Sequence, residues 1–184
     1  MDLKQSNITG VGSVRDKKIW IFNAGYAFEG NPKWLFMYLI NHRKDIHPYW
    51  FCYNQELVNF MHKNGYEACL FDSPAAERIG KKAGVYVVNQ FKEVIQPYLE
   101  GITILNLWHG VGCKTIEKGV HEGILNERIA KKYIQHTGIY QRNSLFLVTS
   151  PMMEKHFISQ CTLSEDMLIR AGYPCNVYPD PVCS

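Results

Sequence analysis

Short apolar runs recur along the chain, each followed by a polar turn and then a stretch with helical spacing. "KKIWIF" (17–22), "PYWFCY" (48–53), "EACLF" (67–71), "GVYVV" (84–88), "GITILNLW" (101–108) and "LFLVTS" (145–150) are rich in β-branched and aromatic residues and are predicted strands. Between them lie predicted helices. One starts at Pro32, with Asn31 as its cap. A second spans "ELVNFMHKN" (56–64) and ends at Gly65. A third starts at Ser73-Pro74 and a fourth at Ser150-Pro151. Proline suits the first helical position because its missing N–H has no partner there, and a preceding Asn or Ser can accept from the free amides. The runs are almost continuously apolar, as strands covered on both faces are. Strands alternating with helices imply βαβ units. The fold expected is therefore α/β: a Rossmann-like, three-layer domain with a mainly parallel sheet.

The same pattern sets the organisation. Residues 1–17 are polar and read as a lead-in, 18–174 as the α/β domain, and 175–184 as a Pro-rich linker toward a second domain. In such sheets ligands bind beyond the carboxyl ends of the strands. The informative positions are therefore Asn23 to Asn31, His109 to Thr115 and Thr149 to Met152.

Composition changes this picture little. The chain has 184 residues, 46% hydrophobic and 20% charged, with a net charge of +3. That mild positive charge is compatible with an anionic ligand or an anionic membrane surface. Six cysteines stand at 52, 69, 113, 161, 175 and 183 without a C-x-x-C pair, so no zinc site is expected. Cys52 and Cys69 sit in apolar runs as core residues, and the compartment expected is reducing. "MDLKQSNITG" does not read as a signal peptide. The longest apolar run, "WLFMYLI" (34–40), is far short of the roughly 20 residues that cross a bilayer.

Candidate chemistry gathers after the fifth strand, in "ILNLWHGVGCKT" (104–115). Two glycines let backbone amides approach an anion, and Lys114 adds a positive charge. His109 stands where the sheet opens and suits a proton acceptor or a phosphate hydrogen-bond donor. A glycine turn with a solvated lysine and an edge histidine accounts for the same spacing. Sharper motifs fail. "GVGCKT" has Cys113 where a P-loop needs glycine before Lys-Thr, and "TGVGSV" precedes the first strand and lacks the third glycine of a dinucleotide loop. "HEGIL" lacks the second histidine of a zinc protease, and there is no G-x-S-x-G elbow. His42 and His62 read as helix-end cations; His121, His136 and His156 read as surface residues; Asp72 and Glu29 read as capping or solvated groups.

Three segments together carry a resemblance. "NLWHGVGCKT" resembles the Trp-His-Gly…Lys segment of the CDP-glycerol glycerophosphotransferase family, the teichoic-acid and capsule polymerases. "GNPKWLFMYLINHRKDIHPYW" is similar to that family's Asn-x-Lys-x-Leu-Phe helix and Tyr-Trp strand. "LFLVTSPMMEKHF…IRAGYP" is similar to its Ser-Pro helix and Gly-Tyr-Pro turn. The resemblance covers most of 18–174. Two positions depart from it. Val111 and Gly112 replace the usual Thr-Pro, and Cys175, Asn176 and Val177 stand where Arg-Asn-Asp is usual.

The resemblance implies the acceptor-side, N-terminal half of a GT-B transferase. Such an enzyme moves glycerol phosphate from CDP-glycerol, or another CDP-polyol, to a polymer. It implies His109 as general base or acceptor-orienting group. It places Gly110, Gly112, Lys114, Asn31, Ser150, Gly172 and Tyr173 at the substrate and phosphates. No cofactor and no metal are required, and no nucleic-acid partner is implied. The partners implied are a lipid-linked polyol-phosphate polymer and a second GT-B domain. The location implied is cytoplasmic, with peripheral contact at the inner membrane face. Two other readings stay open: a non-catalytic module that binds polyol phosphate, and a glycosyltransferase of the same fold using another sugar nucleotide.

Overall fold

The computed structural model describes residues 14–90, 96–110, 114, 116, 119–129, 144–161 and 163–176. The order is β1 (Asp16–Asn23), α1 (Gly30–His42), β2 (His47–Cys52), α2 (Gln55–Lys63), β3 (Ala68–Leu70), α3 (Pro74–Gly80), β4 (Ala83–Val88), β5 (Thr103–Asn106), α4 (123–129), β6 (Ser144–Val148), α5 (Pro151–Cys161) and β7 (Leu168–Arg170). Short 3-10 turns occupy Pro97–Leu99, Glu165–Met167 and Pro174–Asn176. The strands form one sheet in the order β3-β2-β1-β4-β5-β6-β7, and each neighbouring pair runs parallel. The chain reverses its direction of travel across the sheet between β1 and β4, which opens a crevice at their carboxyl ends.

Alternation within the strands explains the three layers. Phe22, Val87, Leu105 and Leu147 project to one face and meet Phe36 and Leu39 of α1 and Leu57, Val58 and Met61 of α2. Ile21, Tyr86, Val88 and Ile104 project to the other, where Ala76 of α3 and Leu99 pack. Phe146 and Val148 continue that second face under Met153, Phe157 and Cys161 of α5. Trp50 lies at the centre of the first layer, with Phe28 edge-on at 4.7 Å, Phe36 edge-on at 5.5 Å and Phe22 stacked at 6.2 Å. Burying a side chain of this size contributes roughly 1.5–3 kcal/mol.

The "WLFMYLI" run lies within α1, which buries Phe36 and Leu39 and exposes Tyr38. No helix among the described residues is long and apolar enough to cross a membrane. The helix starts at Ser73 and Ser150 form as expected. Ser73 Oγ accepts from Ala76 N at 3.1 Å and Ser150 Oγ from Met153 N at 3.3 Å. His42 and His62 lie in the last turns of α1 and α2.

The start of α1 corrects the sequence reading. The helix begins at Gly30 behind Glu29, with no side-chain cap, and Asn31 lies inside it. The fifth strand also stops sooner than expected, at Asn106 rather than Trp108. A seventh strand, Leu168–Arg170, was not predicted: three residues at a sheet edge carry too little pattern. Arg15 and Asp16, read as lead-in, belong to the domain. The Arg15 guanidinium donates to the carbonyls of Gly80 (2.7 Å), Ala83 (2.8 Å), Tyr98 (3.1 Å) and Glu100.

Two predictions follow from this architecture. Arg15→Ala removes the common donor for four carbonyls at the edge of the sheet where β4 begins; water reaches some of them, so the expected loss is about 1–3 kcal/mol, read by urea unfolding. Burial pushes the thiols of Cys52 and Cys69 up from 9.0 to about 12 and about 11. Above pH 9 the unfolded chain releases thiol protons that the native chain retains. Unfolding free energy is therefore expected to fall as pH rises through that window, and Cys52→Ala combined with Cys69→Ala to flatten the fall.

Candidate functional site

The site grows from asparagines at the carboxyl edge of the sheet. Among the described residues the buried polar side chains are Asn23, Asn31 and Asn106. A buried amide must find partners, and each of these uses backbone groups at a strand end. Asn23 closes β1: its Oδ1 accepts from Gly25 N at 3.2 Å and its Nδ2 donates to Phe51 O at 2.8 Å. Asn106 closes β5 in the same manner, accepting from Trp108 N at 3.0 Å. This Asx-type turn lifts the chain out of the sheet.

Trp108 is the described non-glycine residue with positive φ, at 53°. That left-handed conformation costs an L-residue roughly 1–2 kcal/mol. Packing offsets the cost. The indole lies 5.7 Å from the ring of Phe146 and 5.1 Å from that of Phe157, and is largely buried. The twist also turns His109 outward. Its imidazole is exposed and stacks on the indole at 4.3 Å with an interplanar angle of 23°. Gly110 follows with φ 152°, a region open to glycine alone.

The carbonyls before and after His109 are both held. Asn31 Nδ2 donates to Trp108 O at 2.9 Å and to Leu107 O at 3.3 Å. Tyr173 Oη donates to Gly110 O at 2.7 Å. Burial raises the phenol's pKa above its ordinary 10.0, so it stays a donor at neutral pH. Cys175 N donates to Asn31 Oδ1 at 3.4 Å, closing the network onto the Pro174–Asn176 turn.

The residues predicted from sequence therefore divide. Asn31, His109, Gly110 and Tyr173 come together in one network. Ser150 lines an open pocket of about 390 Å³ with Thr149, Glu154, Arg170 and Ala171. There Arg170 pairs with both oxygens of Glu154, at 2.8 and 2.9 Å. Gly172 and Lys114 are exposed. Gly112, Val111, Cys113, Thr115, His136 and Val177 lie outside the described residues. Among the described residues, no group of three or more His, Cys, Asp and Glu side chains is placed to hold a metal ion. Sequence reasoning missed Asn106 and the turn that it makes with the Trp108 amide. The "NLW" triplet held the one available signal, an asparagine able to bond the amide two residues on.

The family described as CDP-Glycerol:Poly(glycerophosphate) glycerophosphotransferase matches residues 6–178. The chain belongs to that family. No curated protein matches it by sequence. Among solved structures, the glycerophosphotransferase-family domain is similar to the wall teichoic acid polymerase TagF. A His-to-Asn variant of TagF soaked for 15 minutes with CDPG gives a TM-score of 0.69 at 16% identity, covering 88% of this chain and 41% of that one. A His-to-Ala variant gives 0.70 at 18% identity, covering 91% and 42%. A glycosyltransferase from Rickettsia africae ESF-5 gives 0.51 at 14% identity, covering 84% and 42%. At these identities the likeness is one of fold. The chain spans about two fifths of the length of the structures it matches.

Asn106→Ala in this glycerophosphotransferase-family domain leaves the Trp108 amide without its acceptor in a dry setting. The expected cost is about 1–3 kcal/mol, seen as a lower thermal midpoint, with the amide exchanging faster with deuterium than in the parent chain.

Proposed function

We infer that this chain is the acceptor-side part of a CDP-glycerol-dependent glycerophosphotransferase that extends a polymer of the teichoic-acid or capsule type. The observation that carries the reading is an exposed histidine at the mouth of a parallel sheet, with both flanking carbonyls tied down, in a chain that matches the glycerophosphotransferase family over residues 6–178. CDP-glycerol is the donor, and a second domain of the GT-B arrangement supplies most of its site. The match to about two fifths of TagF supports that division.

The chemistry is a single displacement. An acceptor hydroxyl oxygen forms a bond to the glycerol-bearing phosphorus while the bond from that phosphorus to the CMP oxygen breaks. CMP leaves as the anion, and the hydroxyl proton passes to His109 or to solvent along a hydroxyl that His109 orients. Such transfers reward positioning and charge neutralisation. Lys114, the backbone of Gly110 and Gly112, and the Ser150 and Gly172 region receive phosphate oxygens. The acceptor is lipid-linked, and the domain works at the cytoplasmic face of the membrane through peripheral contact.

The test is CMP release from CDP-glycerol with glycerol-phosphate oligomers, run on this chain and on the longest gene product containing it. Release by the longer product, lost by about 10²-fold or more in His109→Ala with an unchanged circular dichroism spectrum, is the expected result. Oligomer binding without release from either would replace it with a binding module. Release from UDP- or GDP-sugars instead would replace it with a glycosyltransferase, the class of the Rickettsia africae neighbour.

A further inference from the structure

We propose that Asn31 and Tyr173 are positioning residues that aim His109, each by holding one of the two carbonyls that flank it. The inference rests on the reading of His109 given above. It assigns to Asn31 and Tyr173 a role other than the phosphate contact that the family resemblance implies.

Peptide units are rigid plates joined by two soft torsions per residue. Asn31 Nδ2 fixes the plate between Trp108 and His109, and Tyr173 Oη fixes the plate that follows Gly110. Only the torsions of His109 and Gly110 lie between the two anchors. Upstream, the arc is held by the Asn106 bond and by the packed indole of Trp108. An arc anchored at both ends has few ways to relax, so the imidazole keeps its stacked direction over the indole.

The direct-contact alternative lacks free donors. Asn31 is 4% exposed; its two amide hydrogens go to Leu107 O and Trp108 O, and its oxygen faces Cys175 N. Tyr173 is 8% exposed, and its single hydroxyl proton goes to Gly110 O. Both side chains spend their polar atoms on backbone, and His109 is the group left facing solvent.

The experiment compares Tyr173→Phe, which removes one oxygen and keeps the ring, with the parent chain. The first readout is the proton NMR of the His109 ring, whose signals the stacked indole displaces. Movement of these signals toward free-imidazole positions, with the thermal midpoint little changed, is the expected result. Unmoved signals in a folded variant overturn the proposal, whatever the activity. The second readout is steady-state CMP release by the longest gene product. A kcat lowered by roughly tenfold to a hundredfold at unchanged KM for both substrates is expected of a misaimed proton acceptor. A raised KM with unchanged kcat marks direct substrate contact and overturns it. If no transferase activity exists in either protein, the NMR readout still decides the positioning claim, and only the reaction reading fails. Asn31→Asp, which replaces the amide donors with acceptor oxygens, is the companion variant. Should it not fold, Tyr173→Phe carries the test alone.

Discussion

The side-chain amide of Asn31 holds the carboxyl edge of this domain together. It is buried at the start of α1 and serves three segments at once: the end of β5, the histidine loop, and the C-terminal 3-10 turn. A carbonyl withdrawn from water needs a donor, and Leu107 and Trp108 lie beyond the end of β5 at Asn106. Asn31 supplies both. The left-handed twist at Trp108 is sustainable because its carbonyl is held, its amide is bonded to Asn106, and its indole is packed against Phe146 and Phe157. Each of these three alone is a modest interaction; together they fix a conformation that a tryptophan would otherwise leave.

Two kinds of asparagine thus build one edge. Asn23 and Asn106 each bond an amide two residues on and turn the chain at the strand end, and Asn23 also donates across to Phe51 O of β2. Asn31 acts at long range. The difference explains why the fold and the site were unequally legible. Strands, the parallel arrangement and the Ser-Pro helix starts rest on local patterns, and these are present in the residues themselves. Asn31 carries the local signature of a helix cap but serves a carbonyl 77 residues away, which no local pattern encodes. Trp108 misleads in the opposite sense: its apolar side chain extends the run of β5, while its backbone has already left the strand. Strand β7 escaped because three residues at an edge carry almost no periodicity.

The family relation fits this division. What the chain shares with the glycerophosphotransferase family over residues 6–178 includes the segments that the carboxyl-edge network joins. The fold likeness to TagF extends over 88% of the chain at 16% identity, so most positions differ while the fold is shared. Segments far apart in sequence are kept in register by a small number of backbone-directed side chains.

The bond between Cys175 N and Asn31 Oδ1 closes a separation of 144 residues. A ribosome delivers the chain from its amino end, so β1, α1 and the loop at His109 all emerge well before the turn that completes their network. The cost of closing a span rises only slowly with its length, and pairing of the intervening strands shortens this one further. During synthesis the nascent domain can therefore assemble its central strands while the histidine loop is still unfastened. The last fastening of the histidine loop is thus supplied by the last turn of the described chain.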